Sequence, residues 1–435
     1  MLLRYLTVTF VLVCAFESAS GQTIAPDSLL KKALVLAAPT TSKVETMPMV
    51  PNEQTVPTVS KAQTPPAKWY DKLSLRGYAQ FRYNRLLETN PALKCDQCDK
   101  GIGEGQTFQF RRARLIFSGD AHERLFTYIQ LDYSSDASSN NRHFLQIRDA
   151  YFDLAFDKKK EYRLRFGQSK VPFGFENMQS SSNRLPLDRA DPMNSAAPNE
   201  RDFGAFFYYA PAKTREFYRD AANDIMKGTG DYGVFAFGLY NGQTTNKPEL
   251  NNHLHAVARL SYPFKIGRQI VEPGIQAYSG QFTLAKELVS EGVRAKKNLT
   301  YNDRRVAATV VLYQQPFGIL AEYNIGESPT FDTATDSIQM QSLQGGFITA
   351  SYRKSLGSGF VTSYARFQVY DGAKKQELDA RRYDMNELEL GVEWIPFKNL
   401  EVTLAYVISD RKYRDFKTDY AEKGNFLRIQ LQANY

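Results

Sequence analysis

From Leu73 to Tyr435 the chain keeps returning to segments in which apolar and polar side chains alternate one for one. Only extended β-structure puts a two-residue period to use, because successive side chains of a strand point to opposite faces. In LSLRGYAQFRYN, Leu73, Leu75, Gly77, Ala79, Phe81 and Tyr83 share one face; Ser74, Arg76, Tyr78, Gln80, Arg82 and Asn84 share the other. RLFTYIQLDY repeats the device, and NFLRIQLQANY repeats it again at the C-terminus, with Arg428, Gln430 and Gln432 opposite Leu427, Ile429 and Leu431. About sixteen such spans match the strand template, the first near 72–84 and the last near 425–435. Short links such as DAHE (120–123), DKKK (157–160), QQPF (314–317) and PFKN (396–399) alternate with longer ones at 85–106, 135–142, 170–202, 327–342 and 410–424. That asymmetry predicts an antiparallel up-and-down barrel with turns at one rim and loops at the other.

A soluble β-protein also alternates, so composition has to decide. Mean hydropathy is only −0.45, yet aromatics reach 13%, with 29 Phe and 26 Tyr. Beyond the first residues there is no apolar run of the roughly 18 residues that a membrane helix needs. A barrel reconciles these facts. Lipid tolerates no unpaired backbone group, and a sheet satisfies that demand only by closing on itself. A closed ring of about sixteen strands encloses water, so half of every strand stays polar. The expected fold is therefore all-β, a transmembrane antiparallel barrel whose long 170–202 loop folds inward.

The N-terminal MLLRYLTVTFVLVCAFESASGQ has one basic residue, an apolar core and a small-residue cleavage site, and reads as a signal peptide over residues 1–21. A lipoprotein signal at Cys14 would want a small residue where Val13 stands. Residues 22–68, rich in Pro and Thr, read as a flexible linker, and 69–435 as the barrel. The expected location is the bacterial outer membrane. Cys95 and Cys98, in KCDQCDKG, suit a local disulfide or spare thiols better than a zinc site, which would need further ligands.

No GxSxG or HExxH motif appears, GIGEGQ is not a Rossmann turn, and His253 and His255 would merely share a strand face. No catalytic residue, metal or cofactor is expected. Net charge is +8, from 55 Lys and Arg against 47 Asp and Glu. The basic residues are spread over many strands, which argues against nucleic acid. FRRARLIF puts Arg112 and Arg114 on one face, and YRLRFG does the same with Arg163 and Arg165. A strand arginine facing lipid costs roughly 2–4 kcal/mol at mid-bilayer, so these residues should face the lumen. Arg111 has the opposite parity, which requires either a place near the rim or a bulge. Asp132, Asp149 and Asp153 bring negative charge to the same wall, and Tyr78, Tyr128 and Gln130 supply neutral surface.

The segment LRFGQSKVPFGFE (164–176) begins as a strand and breaks at Pro172 into the long loop. Together with FRRARLIFSGD and RDFGAFF, it resembles the phosphate-selective porin O and P family over roughly Trp69 to Tyr435. The resemblance implies a sixteen-stranded outer-membrane porin, commonly a trimer, in which arginines and lysines guide small anions such as phosphate to a constriction. Family arginines carry over onto Arg111, Arg112 and Arg114, while Lys170, Arg184 and Arg189 match by region. The expected anion-binding set is Arg76, Arg82, Arg112, Arg114, Arg163, Arg165, Lys170, Arg184 and Arg189. Expected partners are small anions, outer-membrane lipid and further copies of the chain as a homotrimer. The alternative is a barrel with a plugged lumen, serving as a binding or assembly partner of other envelope components. Tyr435, with apolar residues at two-residue spacing before it, resembles the C-terminal signal of outer-membrane barrels.

Overall fold

A computed structural model describes residues 69–87, 106–135, 143–223, 226–413 and 420–435. The expected signal peptide, the 22–68 linker, Cys95 and Cys98 lie outside those residues. The strands are β1 (Leu73–Leu86), β2 (Gln106–His122), β3 (Leu125–Ser135), β4 (His143–Ala155), β5 (Tyr162–Lys170), β6 (Arg201–Tyr209) and β7 (Phe235–Tyr240). β8 is interrupted at Tyr262 and Pro263 into His255–Ser261 and Phe264–Ile266, both paired with β9 (Gln269–Thr283). There follow β10 (Thr300–Leu312), β11 (Phe317–Asp332), β12 (Ser337–Leu356), β13 (Gly359–Ala373), β14 (Arg382–Phe397), β15 (Leu400–Tyr413) and β16 (Tyr420–Asn434). Each strand pairs antiparallel with the next, and β16 pairs with β1, so the sixteen strands form a closed ring.

Exposure is the reverse of that in a soluble domain. Leu75 is 63% exposed and Ile325 54%, whereas Arg82 and Arg305 are each 1% exposed. The outer surface is thus an apolar band, with Phe108, Phe144, Phe264 and Phe397 toward its two edges, and the polar face of every strand turns inward.

Closure is tight at the β1–β16 seam. Gly77 and Tyr435 exchange backbone hydrogen bonds of 2.7 and 3.0 Å, and the Tyr435 hydroxyl donates to the Arg114 carbonyl at 3.0 Å. A Cβ on Gly77 would lie 2.2 Å from that carbonyl and 2.4 Å from the Tyr435 ring. Gly77→Val is therefore expected to force the seam open, beyond the roughly 1–3 kcal/mol of ordinary overpacking, because backbone must move. Loss of the heat-resistant folded band on gels would register it; an unchanged band would refute it.

Two sequence expectations change, and one open alternative is settled. The 327–342 segment is no long loop: β11 and β12 run on to a tight turn at 333–336. Pro329 lies within the ladder: its partner is Met340, and pairing continues past it. The extended hairpin lets Phe331 and Ile338 pack against Phe282, Leu284 and Tyr301 at the loop rim. His253 precedes β8, so only His255 sits on the strand, stacked on Tyr278 and meeting Tyr240 at a tilt. Finally, Arg111 is a bulge residue: the β1–β2 register passes from Gln80 opposite Arg112 to Phe81 opposite Phe110. The extra residue is free to turn inward.

Candidate pore and its arginine-lined wall

Lys170 is the last residue of β5 and pairs with Arg201, the first of β6. Beyond it, residues 171–200 run inside the ring. Lys170 borders the cavity described below, but its ammonium is engaged. Its Nζ donates to the Met178 and Gln179 carbonyls at 2.7 and 2.6 Å, so it fixes the loop that follows. Gly174, at φ +83°, starts the short helix Phe175–Met178. The backbone amides of Phe175 and Glu176 donate to the Glu322 carboxylate on β11 at 2.6 and 2.7 Å. Glu176 in turn accepts from Arg366 on β13 at 3.3 Å, and Asp191 from the Tyr383 hydroxyl on β14 at 2.8 Å. Phe173 packs edge-on against Tyr278 of β9 with ring centroids 4.9 Å apart.

The loop is anchored on the other side by Asp188. Arg82 of β1 lies 3.0 Å away, the bulged Arg111 of β2 lies 3.3 Å away, and Arg428 of β16 also contacts it. Burial alone would raise the Asp188 carboxyl, but Arg428, Arg82 and Arg111 outweigh it and hold the group well below the ordinary carboxylate range.

The sequence-expected cations divide into groups. Arg114 forms a two-pronged pair with Asp132 at 2.9 and 3.1 Å and donates to the Tyr78 hydroxyl at 2.7 Å. Arg165 grips Asp153 in the same way at 2.7 and 2.9 Å, with its guanidinium 3.9 Å from the Tyr151 ring centre. Arg163 lies between Asp153 at 3.6 Å and Asp231 at 2.7 Å. Arg82 is bound to Asp188, and Arg189 to Glu200 at 2.7 Å. Among the described residues, Arg184 meets only its own loop's carbonyls, those of Pro186 and Leu187; burial, then Arg189, lowers its guanidinium to about 10. Among the described residues, Arg76 and Arg112 have no carboxylate partner. Arg112 is 7% exposed and its Nε finds no acceptor, whereas Arg76 is exposed and borders a cavity.

That cavity, of about 1630 Å³, opens on the short-turn side. Its wall includes Arg76, Tyr78, Tyr128, Gln130, Arg165 and Lys170. Tyr128 and Tyr151 stack there at 4.9 Å. The three wall aspartates are all engaged: Asp132 by Arg114, Asp153 by Arg165, and Asp149 by Arg201 at 2.9 Å.

The sequence-expected set left out several buried lumen arginines. Arg148 sits beside Asp149 because a second bulge shifts the β3–β4 register between Gln130 and Leu131. It meets Glu200 at 3.2 Å. Arg428 was legible by parity, and only its partnership with Asp188 was not. The helix Ala212–Asn223 also escaped the strand template; its signal is the spacing of Phe217, Tyr218 and Ala221 among good helix formers.

A family profile described as phosphate-selective porin O and P matches residues 93–435. Among solved structures, the chain is similar to the outer membrane channel DcaP of Acinetobacter baumannii, with 15% identity, 83% of this chain and 97% of that one covered, and a TM-score of 0.53. It is also similar to OmpF of Salmonella typhi, solved in complex with daunomycin, with 14% identity, 83% and 97% coverage, and a TM-score of 0.52. These likenesses speak to the fold. No curated protein sequence matches the chain.

Proposed function

Because the chain belongs to the phosphate-selective porin O and P family and is a porin of the bacterial outer membrane, we propose that it prefers small anions, phosphate among them, and passes them along β1–β5. The observation that carries this reading is the imbalance of partners on that wall. Asp132, Asp149 and Asp153 are neutralised by arginines, while Arg76, which borders the cavity, and Arg112, on the neighbouring strand, keep positive charge with no carboxylate partner among the described residues. In a lumen with low-dielectric walls such charges raise local anion concentration, and a guanidinium offers forked donors that match an oxyanion. Assembly as a homotrimer belongs to the same reading, as does an exported chain whose residues 1–21 are a removed signal and 22–68 a linker.

Reversal potentials across planar bilayers in a potassium chloride gradient test it. The intact protein should be anion-selective, and Arg76→Ala with Arg112→Ala should lower the anion-to-cation permeability ratio by roughly twofold or more. Cation selectivity of the unaltered protein would overturn the anion preference. Absence of channels altogether would favour a plugged barrel that serves as an assembly partner.

A further inference from the structure

The link between β6 and β7 lies on the rim where the other connections are short, yet it spans residues 210–234. It does not hang outside. Its helix, Ala212–Asn223, turns Tyr218 to Glu272 of β9 at 3.3 Å and Phe217 edge-on to Tyr313 at 5.2 Å. Further along, Lys227 reaches Glu393 of β14 at 2.6 Å. In a ring of sixteen, β6 and β14 are eight places apart, which is diametrically opposite, so the segment crosses the full width of the lumen. In the middle it meets the other inward segment: Asn183 Nδ2 donates to the Gly228 carbonyl at 2.6 Å, and Gln179 Nε2 to the Lys227 carbonyl. It then returns to β5, where Asp231 takes Arg163 at 2.7 Å, and the same carboxylate takes Arg215 of the helix at 2.6 Å.

The crossing divides the lumen unevenly. The side facing β9 and β10 is filled by Phe217, Tyr218 and Tyr313, and Glu272 there is enclosed by Tyr218, Tyr313 and Arg259. The open cavity lies on the other side, against Arg76, Arg165 and Lys170, and is roofed by the polar face of the helix with Arg215 and Arg219. Burial disfavours charge on Lys227, but Glu393 and then Glu401 outweigh it and hold the ammonium above its ordinary value.

We propose that residues 210–223 and 226–234 are a second selectivity element, a crossbeam latched by Lys227 to Glu393, which excludes solute from the β9–β10 side and confines it to the arginine-lined wall. The inference rests on the porin reading above and deepens it. Lys227→Glu places a carboxylate against Glu393 and Glu401 and should unlatch the crossbeam. Single-channel conductance should rise, by up to roughly twofold, as the β9–β10 side of the lumen opens. The exchange variant, Lys227→Glu with Glu393→Lys, has the net charge of the original protein and should restore the original conductance. Unchanged conductance in Lys227→Glu, or an exchange variant that folds and does not restore it, overturns the crossbeam. If Lys227→Glu does not yield a folded barrel, Lys227→Gln decides, with a smaller rise expected and no rise overturning the proposal. Failure of the porin reading looks different, since the unaltered protein would then form no channels.

Discussion

Asp188→Asn is expected to release the 171–200 loop from the β1–β2–β16 wall and to destabilise the barrel by about 3–5 kcal/mol, the usual cost of stranding a buried charge partner. One carboxylate holds Arg82 at 3.0 Å, Arg111 at 3.3 Å and Arg428 in contact. An amide can accept from one of them but carries no charge, so mutually repelling guanidiniums would be left in the lumen. Two readouts should move together: the urea midpoint of the folded barrel should fall, and anion selectivity should increase because the lumen loses one negative charge and the three arginines it bound become available to solute. The acid dependence has a definite sign. With the folded carboxyl held well below its unfolded value, its contribution is complete above the unfolded pKa of about 4 and is lost only as pH falls through the lower folded value. The deficit of the Asn variant should therefore stay constant from neutral pH down to about 4. A normal midpoint with unchanged selectivity would show that the loop is held elsewhere, at Glu322 and Arg366.

The barrel was legible because its cause is local and repeated. Alternation in β1, β3 and β16 states which face meets lipid, and closure follows from the absence of any other way to satisfy strand edges. What the sequence left open or hid were the places where the period slips: the parity of Arg111 called for a rim position or a bulge, and that of Arg148 gave no warning. Arg111 and Arg148 both sit at bulges, and a bulge turns an outward parity inward without changing any residue type. Pairing across the lumen was equally hidden: Asp188 and Arg428 are 240 residues apart, and nothing near either one names the other. Lys170 is the instructive case. Its position after two pore arginines suggested a solute ligand, but Pro172 directs the chain inward just beyond it, and the nearest acceptors become the loop's own carbonyls. Its charge shapes the path by holding the loop in place.

This distinction makes the adjacent inward residues Arg112 and Arg114 the sharpest test of the wall, since they share a strand and a face yet differ in partnership. Arg114→Met leaves Asp132 without its two-pronged partner and removes the hydrogen bond to Tyr78, which itself contacts Ser181 of the loop at 2.6 Å. A loss of about 3–5 kcal/mol is expected, seen as a lower urea midpoint. Arg112→Met removes a guanidinium that no carboxylate neutralises and whose Nε is unsatisfied. It relieves a buried, repelled charge, so stability should hold within about 0.5 kcal/mol or improve. The electrical ranking should follow a different logic. Methionine at 112 removes one free positive charge from the wall, and anion selectivity should drop with the fold intact. Methionine at 114 both removes a cation and exposes a carboxylate, so the variant that folds least well should also lose the most selectivity. Equal stabilities for the two variants would mean that Asp132 does not depend on Arg114. Unchanged selectivity in the folded Arg112 variant would mean that solute does not pass within reach of this strand.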